Sequence, residues 1–148
     1  GDPEIERELA RAATRHAGVA VFVRRFDEDL ARRIYAASDI FLMPSRYEPC
    51  GISQMIAMRY GAVPVVRWSG GLKDTVRDFN TADRDGTGFG FRNADPESMT
   101  ECIKRVLCVF TMEDEWKRVM VNAMKARFSW DKTVAGYMKI YSDLAGEA

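Results

Sequence analysis

Histidine occurs once in these 148 residues, at position 16, and cysteine three times, at Cys50, Cys102 and Cys108. No two cysteines stand as C-x-x-C, so a zinc site has no convincing ligand set to draw on. The odd, scattered count fits a reducing compartment better than a disulfide framework. Cys102 and Cys108 read as positions on a half-buried helix face. Neither sign of charge is in excess, with 22 Lys plus Arg against 22 Asp plus Glu. Without a broad basic field, neither nucleic acid nor an anionic membrane is an expected partner. No run approaches the ~20 apolar residues of a membrane span. The opening, GDPEIERELARAATRHAG, is charged throughout, which argues against a secretory signal; its glutamates argue against a transit peptide. It reads as the middle of a larger protein.

What is present suits a packed domain. Hydrophobic residues make up 47% of the chain, enough for a core and too many for disorder. The length predicts a single domain over 1–148. Asp2-Pro3 is a cap-plus-proline helix start. Ile5, Leu9, Ala12, Ala13 and His16 then follow on one helical face, ending at Gly18. Residues 19–24, VAVFVR, predict a short strand. Asp27 caps a second helix with Leu30, Ile34 and Ala37 inward. The runs 39–43 (DIFLM) and 63–66 (VPVV) read as buried parallel strands, with a helix between them that stops at Gly61. Residues 67–88 hold four glycines and many polar groups, so they predict loop around one helical turn. FGF at 89–91 is a last short strand. Three helices close the chain, the first opened by Asp95-Pro96 and the third by Asp131. Strands alternating with helices imply right-handed crossovers and an α/β fold, a Rossmann-like parallel sheet with helices on both faces.

One loop raises a chemical question. PSRYEPCG, residues 44–51, leaves the carboxyl end of the 39–43 strand and runs into a helix that opens near glycine. In an open parallel sheet, ligands bind beyond those strand ends. The first N–H groups of a helix have no partner within it, and its dipole favours an anion. Gly51 lets a ligand approach the backbone, and Ser53 adds a hydroxyl. Glu48 would repel a phosphate. A carboxylate there suits sugar hydroxyls, or positive charge developing at a sugar carbon. SGGL at 69–72 leaves the next strand, and Gly70 and Gly71 could expose further N–H groups beside the first loop. Each feature also has a plainer reading: a solvated surface glutamate, a turn at Gly-Gly, a helix-start serine. Spacing alone leaves the two readings balanced.

The stretch PSRYEPCGISQMIAMRYGAVPVVRWSGGLKDTV, residues 44–76, closely resembles the glycogen and starch synthase family. GDPE at 1–4, SDIFLMPS at 38–45, DGTGF at 85–89 and FSWDKTVAGYMKIY at 128–141 follow that family in order and spacing, so the resemblance covers nearly the whole chain. QMIAMRYG looks more like plant and algal starch synthases than bacterial glycogen synthases. The resemblance implies a retaining glucosyltransferase that moves glucose from ADP-glucose to the non-reducing end of an α-1,4-glucan. It implies a GT-B enzyme of two Rossmann-like domains, with this chain as most of the C-terminal, nucleotide-sugar-binding domain plus closing helices. Glu48 would be the acidic catalytic residue at the donor glucose. Pro49, Cys50, Gly51, Ile52 and Ser53 would form the seat for sugar and diphosphate, with Ser53 where threonine is usual. Gly70 and Gly71 would belong to the second loop, and Phe26 would stack on adenine. No metal and no cofactor are implied. The partners would be ADP-glucose or ADP and, mainly through an N-terminal domain, the glucan. The compartment would be a plastid, or alternatively a bacterial cytoplasm.

Two departures bear on that implication. Related glycosyltransferases hold the ribose with a glutamate eight residues after the first, where this chain has Ile56. The family's C-terminal domain also begins with a strand and helix carrying an arginine and a lysine on the diphosphate, and nothing before Gly1 supplies them. Arg24, Arg25 and Arg46 have no basis as replacements, nor has His16 as the family's catalytic histidine. The isolated chain is therefore expected to be inactive, and the competing reading is a non-catalytic nucleotide-binding or interaction module. A dinucleotide-dependent oxidoreductase is disfavoured, because GTGFGF at 86–91 lacks the third glycine and comes late in the sheet.

Overall fold

The computed structural model describes residues 2–146. Its contacts divide into two compact units, Gly1–Arg32 and Arg33–Ala148. In the first, α1 spans Pro3–Arg15. Asp2 caps it, accepting from the Glu4 N–H at 2.8 Å, with Pro3 in the first turn where no amide is needed. The helix ends at His16, which is its C-cap and not a member of its apolar face. Asp27 accepts from the Leu30 N–H at 2.9 Å and starts α2, Glu28–Ala37.

The strand expected over 19–24 does not form. Val19 and Val21 are 91% and 86% exposed, and none of these residues enters a ladder among the described residues. A β-branched run fits a sheet only where a neighbouring strand takes its hydrogen bonds. The composition was right for a strand, but none of the described strands pairs with it.

The second unit holds the sheet. Strands β1 (Ile40–Met43), β2 (Val63–Arg67) and β3 (Phe89–Phe91) pair in that order, all parallel. Between them run α3 (Ser53–Tyr60) and the single turn α4 (Leu72–Thr75). Then follow α5 (Pro96–Phe110), α6 (Glu113–Lys125) and α7 (Trp130–Gly146). Asp95 caps α5 through the Ser98 N–H at 2.7 Å. Consecutive parallel strands joined by helices are the order of one half of a doubly wound sheet.

Alternation along β2 explains the core. Val63 and Val65 join Phe89, Val106, Trp116 and Val119 in one cluster, while Val66 joins Met58, Leu72, Val76 and Ala123 in another. Successive side chains leave opposite faces of a strand, so a strand covered on both faces must be apolar throughout. Among the described residues, no helix is long and apolar enough to cross a membrane.

The 77–88 segment is pinned by charge. Arg77 donates to both Asp85 carboxylate oxygens at 2.9 Å. The Gly86 N–H, and then Arg77, hold the Asp85 carboxyl below its usual range. A depressed carboxylate stabilises the fold above its unfolded pKa and loses that contribution as pH falls through the folded value. Asp85→Asn should therefore flatten the acid limb of a melting temperature against pH curve without changing its alkaline limb. Phe89 is fully buried. Phe89→Ala should cost about 3–5 kcal/mol in urea unfolding, and a loss under 1 kcal/mol would contradict the core described above.

Candidate functional site

The loop after β1 and the loop after β2 meet backbone to backbone. A Cβ added to Gly70 would overlap the Glu48 carbonyl, and one added to Gly71 would overlap the Cys50 carbonyl. Gly70 also sits at φ +48°. The Gly-Gly pair is thus required by the close approach of the first loop.

Four groups hold four carbonyls and one amide of that loop. Arg67, at the end of β2, donates its Nε to the Ser45 carbonyl at 2.9 Å, and its two terminal nitrogens to the Arg46 and Arg92 carbonyls. The Ser69 hydroxyl accepts from the Glu48 N–H at 3.1 Å. The Gly71 N–H donates to the Pro49 carbonyl at 3.1 Å. The Gln54 Nε2 donates to the Gly51 carbonyl at 3.0 Å.

These bonds dictate where the free donors point. A trans peptide places its N–H opposite its C=O, and no peptide bond among the described residues is cis. With the Pro49 carbonyl turned to Gly71, the Cys50 N–H faces the other way. With the Gly51 carbonyl turned to Gln54, the Ile52 N–H does the same. The amides of Cys50, Gly51, Ile52 and Ser53 have no acceptor among the described residues. Ile52, the residue before α3, supplies no side-chain cap to that helix. The result is a short row of unpaired N–H groups at a helix start, which can seat an anion.

Two residues before that row in the chain is Glu48, half-buried, with no hydrogen bond or ion pair to its carboxylate among the described residues. Pro49, Cys50 and Ile52 are exposed, Ser53 is half-buried and Gly51 is buried at φ +73°. The structure thus brings Glu48, Pro49, Cys50, Gly51, Ile52 and Ser53 together on one loop and helix start, backed by Gly70 and Gly71. The Gly71 amide is already taken by Pro49, so that N–H is not open to a ligand as the sequence suggested. Phe26 belongs to the other compact unit, where its ring is 91% exposed.

Sequence reasoning missed Arg67, Ser69, Gln54 and Thr75. Gln54 did leave a signal. It shares the i, i+3, i+4 face with Ala57 and Met58, both buried, so a polar residue occupies an apolar position. Arg67 closes an otherwise apolar strand, a weaker signal of the same kind.

Against known proteins, residues 1–109 match the family model described as glycosyl transferases group 1. The glycogen synthase of Kosmotoga olearia is 50% identical over 116 residues, covering 78% of this chain and 24% of the relative. That of Thermotoga petrophila is 43% identical over 142 residues, covering 95% and 29%. Among solved structures, the catalytic domain of starch synthase IV from Arabidopsis thaliana, bound to ADP and acarbose, matches with a TM-score of 0.83 and 35% identity. It covers 95% of this chain and 30% of that one. The chain therefore spans about a quarter to a third of the length of these relatives.

Filling either glycine should break the loop contact. Gly70→Ala is expected to lower unfolding free energy by about 1–3 kcal/mol, measured by urea titration. An unchanged stability would show that the two loops do not pack as described.

Proposed function

The chain belongs to the group 1 glycosyl transferases, and on that premise we propose that it is the donor-binding part of a starch or glycogen synthase. Its α/β fold matches the C-terminal domain of a GT-B glycosyltransferase. In this reading the whole protein moves glucose from ADP-glucose to the non-reducing end of an α-1,4-glucan, with retention at the anomeric carbon. The observation that carries it is the row of unpaired amides two residues after a glutamate whose carboxylate has no partner among the described residues. An anion seat next to a free carboxylate fits a sugar nucleotide, whose diphosphate and glucose ask for opposite chemistry. The likeness to a starch synthase bound to ADP supports the same ligand class.

Each residue then has a physical task. The Cys50 and Ile52 amides and the start of α3 face the distal phosphate and stabilise the charge that gathers there as ADP departs. The Ser53 hydroxyl adds a donor. Glu48 accepts from glucose hydroxyls in the ground state and stabilises the oxocarbenium-like charge that develops at the anomeric carbon. A single carboxylate does not supply the pair on which glycosidases depend. The flat, exposed ring of Phe26 is the proposed platform for adenine. Orientation of two substrates supplies much of the rate, so the isolated chain should elongate no glucan. For the compartment, a plastid and a bacterial cytoplasm both remain in the reading, and the bacterial curated relatives support the second.

The test uses the intact protein with ADP-glucose and a maltooligosaccharide. Glu48→Gln keeps shape and removes charge. It should lower kcat by about 10²–10³-fold while ADP still binds in a calorimeter. Parental turnover in that variant would overturn the assignment of Glu48. A parental protein that binds no ADP would remove the donor seat itself.

A further inference from the structure

We infer that Gln54 is a positioning residue of the donor seat, which, clasped to Thr75, fixes the 51–52 peptide so that the Ile52 N–H faces the diphosphate. The inference rests on the donor-site reading above and assigns a task to a residue that touches no substrate.

The side chain of Gln54 is fully buried, on a helix face otherwise occupied by Ala57 and Met58. Burying a primary amide costs free energy unless its groups are paired. Here only one end is paired. Nε2 lies 3.0 Å from the Gly51 carbonyl and 3.0 Å from the Thr75 hydroxyl. Oε1 is buried and has no partner among the described residues.

That asymmetry has one consistent orientation. The Gly51 carbonyl can only accept, so the nitrogen must face it. A flipped amide would set two oxygens against each other. The Thr75 hydroxyl donates to the Gly71 carbonyl at 2.9 Å, which leaves its lone pair for Nε2. The chain of bonds therefore runs from Gly51 in the first loop, through Gln54 and Thr75, to Gly71 in the second. Gly51 completes the fit, because a Cβ there would lie 2.6 Å from Oε1. Only a glycine, at φ +73°, lets the amide pack directly beneath that peptide.

Methionine would fill the same space and remove the unpartnered Oε1, but it would leave the Gly51 carbonyl without its donor. What glutamine adds is a hold on one carbonyl. Through the planar peptide that is a hold on the direction of the next amide. Buried unpaired groups of this kind are tolerated where function requires them.

The experiment measures ADP and AMP affinity by calorimetry, and melting temperature, in the intact protein and in Gln54→Met, Thr75→Val and Thr75→Ser. Gln54→Met should weaken ADP roughly tenfold, equivalent to the loss of one well-placed hydrogen bond. It should weaken AMP less, because the 51–52 amide serves the distal phosphate. Its melting temperature should stay within a few degrees of the parent, since one orphan is exchanged for another. Thr75→Val should weaken ADP in the same direction, and Thr75→Ser, which restores the hydroxyl, should recover most of the loss. ADP affinity within twofold of the parent in Gln54→Met overturns the inference, and so does an equal loss of ADP and AMP, the mark of a general packing fault. If Gln54→Met does not fold, the threonine pair decides: equal affinities in Thr75→Val and Thr75→Ser overturn it. If the parent binds no ADP, the donor-site reading falls first and the inference with it, a result visible before any variant is compared.

Discussion

The approach of the Glu48–Cys50 backbone to the bare α-carbons of Gly70 and Gly71 is the constraint on which the site depends. Neither loop has a regular ladder to hold it. Each is shaped by the other, through main-chain contact too close for any side chain. Once they touch, the Ser45, Arg46, Pro49 and Gly51 carbonyls find donors within the protein, and peptide geometry turns the Cys50 and Ile52 amides away from those donors. The polarity of the site thus follows from satisfying the opposite polarity inside.

The sheet sets the stage for that contact. β2 is the central strand, and its last residue, Arg67, reaches carbonyls in the loops after β1 and β3. One guanidinium spans all three strand ends, a task suited to its rigid fork of donors. Farther along, Asp78 accepts from Arg105 at 2.7 Å and from the Gly90 N–H at 3.0 Å, while the Arg105 guanidinium lies 5.1 Å from the Phe89 ring centre. This half-exposed pair ties α5 to the start of β3. The pairs on the helix surfaces, such as Lys104–Glu101, are exposed and contribute little by comparison.

Much of this was legible in the residues. The caps at Asp2, Asp27 and Asp95, the strands at 40–43 and 63–66 and the stop at Gly61 all act locally, and local chemistry can be read from a sequence. Burial is not local, and only the second strand is buried, the first being half-exposed with Leu42 outward. The loop carrying Glu48 was legible for the same reason: strand, loop, glycine and helix are contiguous. The failure at 19–24 was of another kind. Strand pairing is a property of two segments, and VAVFVR reports only one of them. Gly70 and Gly71 were read as exposing N–H groups, or as a plain turn, but their reason is a contact with residues some twenty positions earlier. Gln54, Thr75 and Arg67 escaped because each acts on a carbonyl, and a carbonyl leaves no letter in the sequence.

The packing of the Gln54 amide beneath Gly51 carries an evolutionary consequence. A larger residue at position 51 collides with the amide, and a shorter one at position 54 releases the peptide and opens a void. Neither position can drift by itself, so the two must be inherited as a matched set. Divergence among descendants of this chain should then proceed through the outer, exposed residues of the loop while this inner pair stays locked.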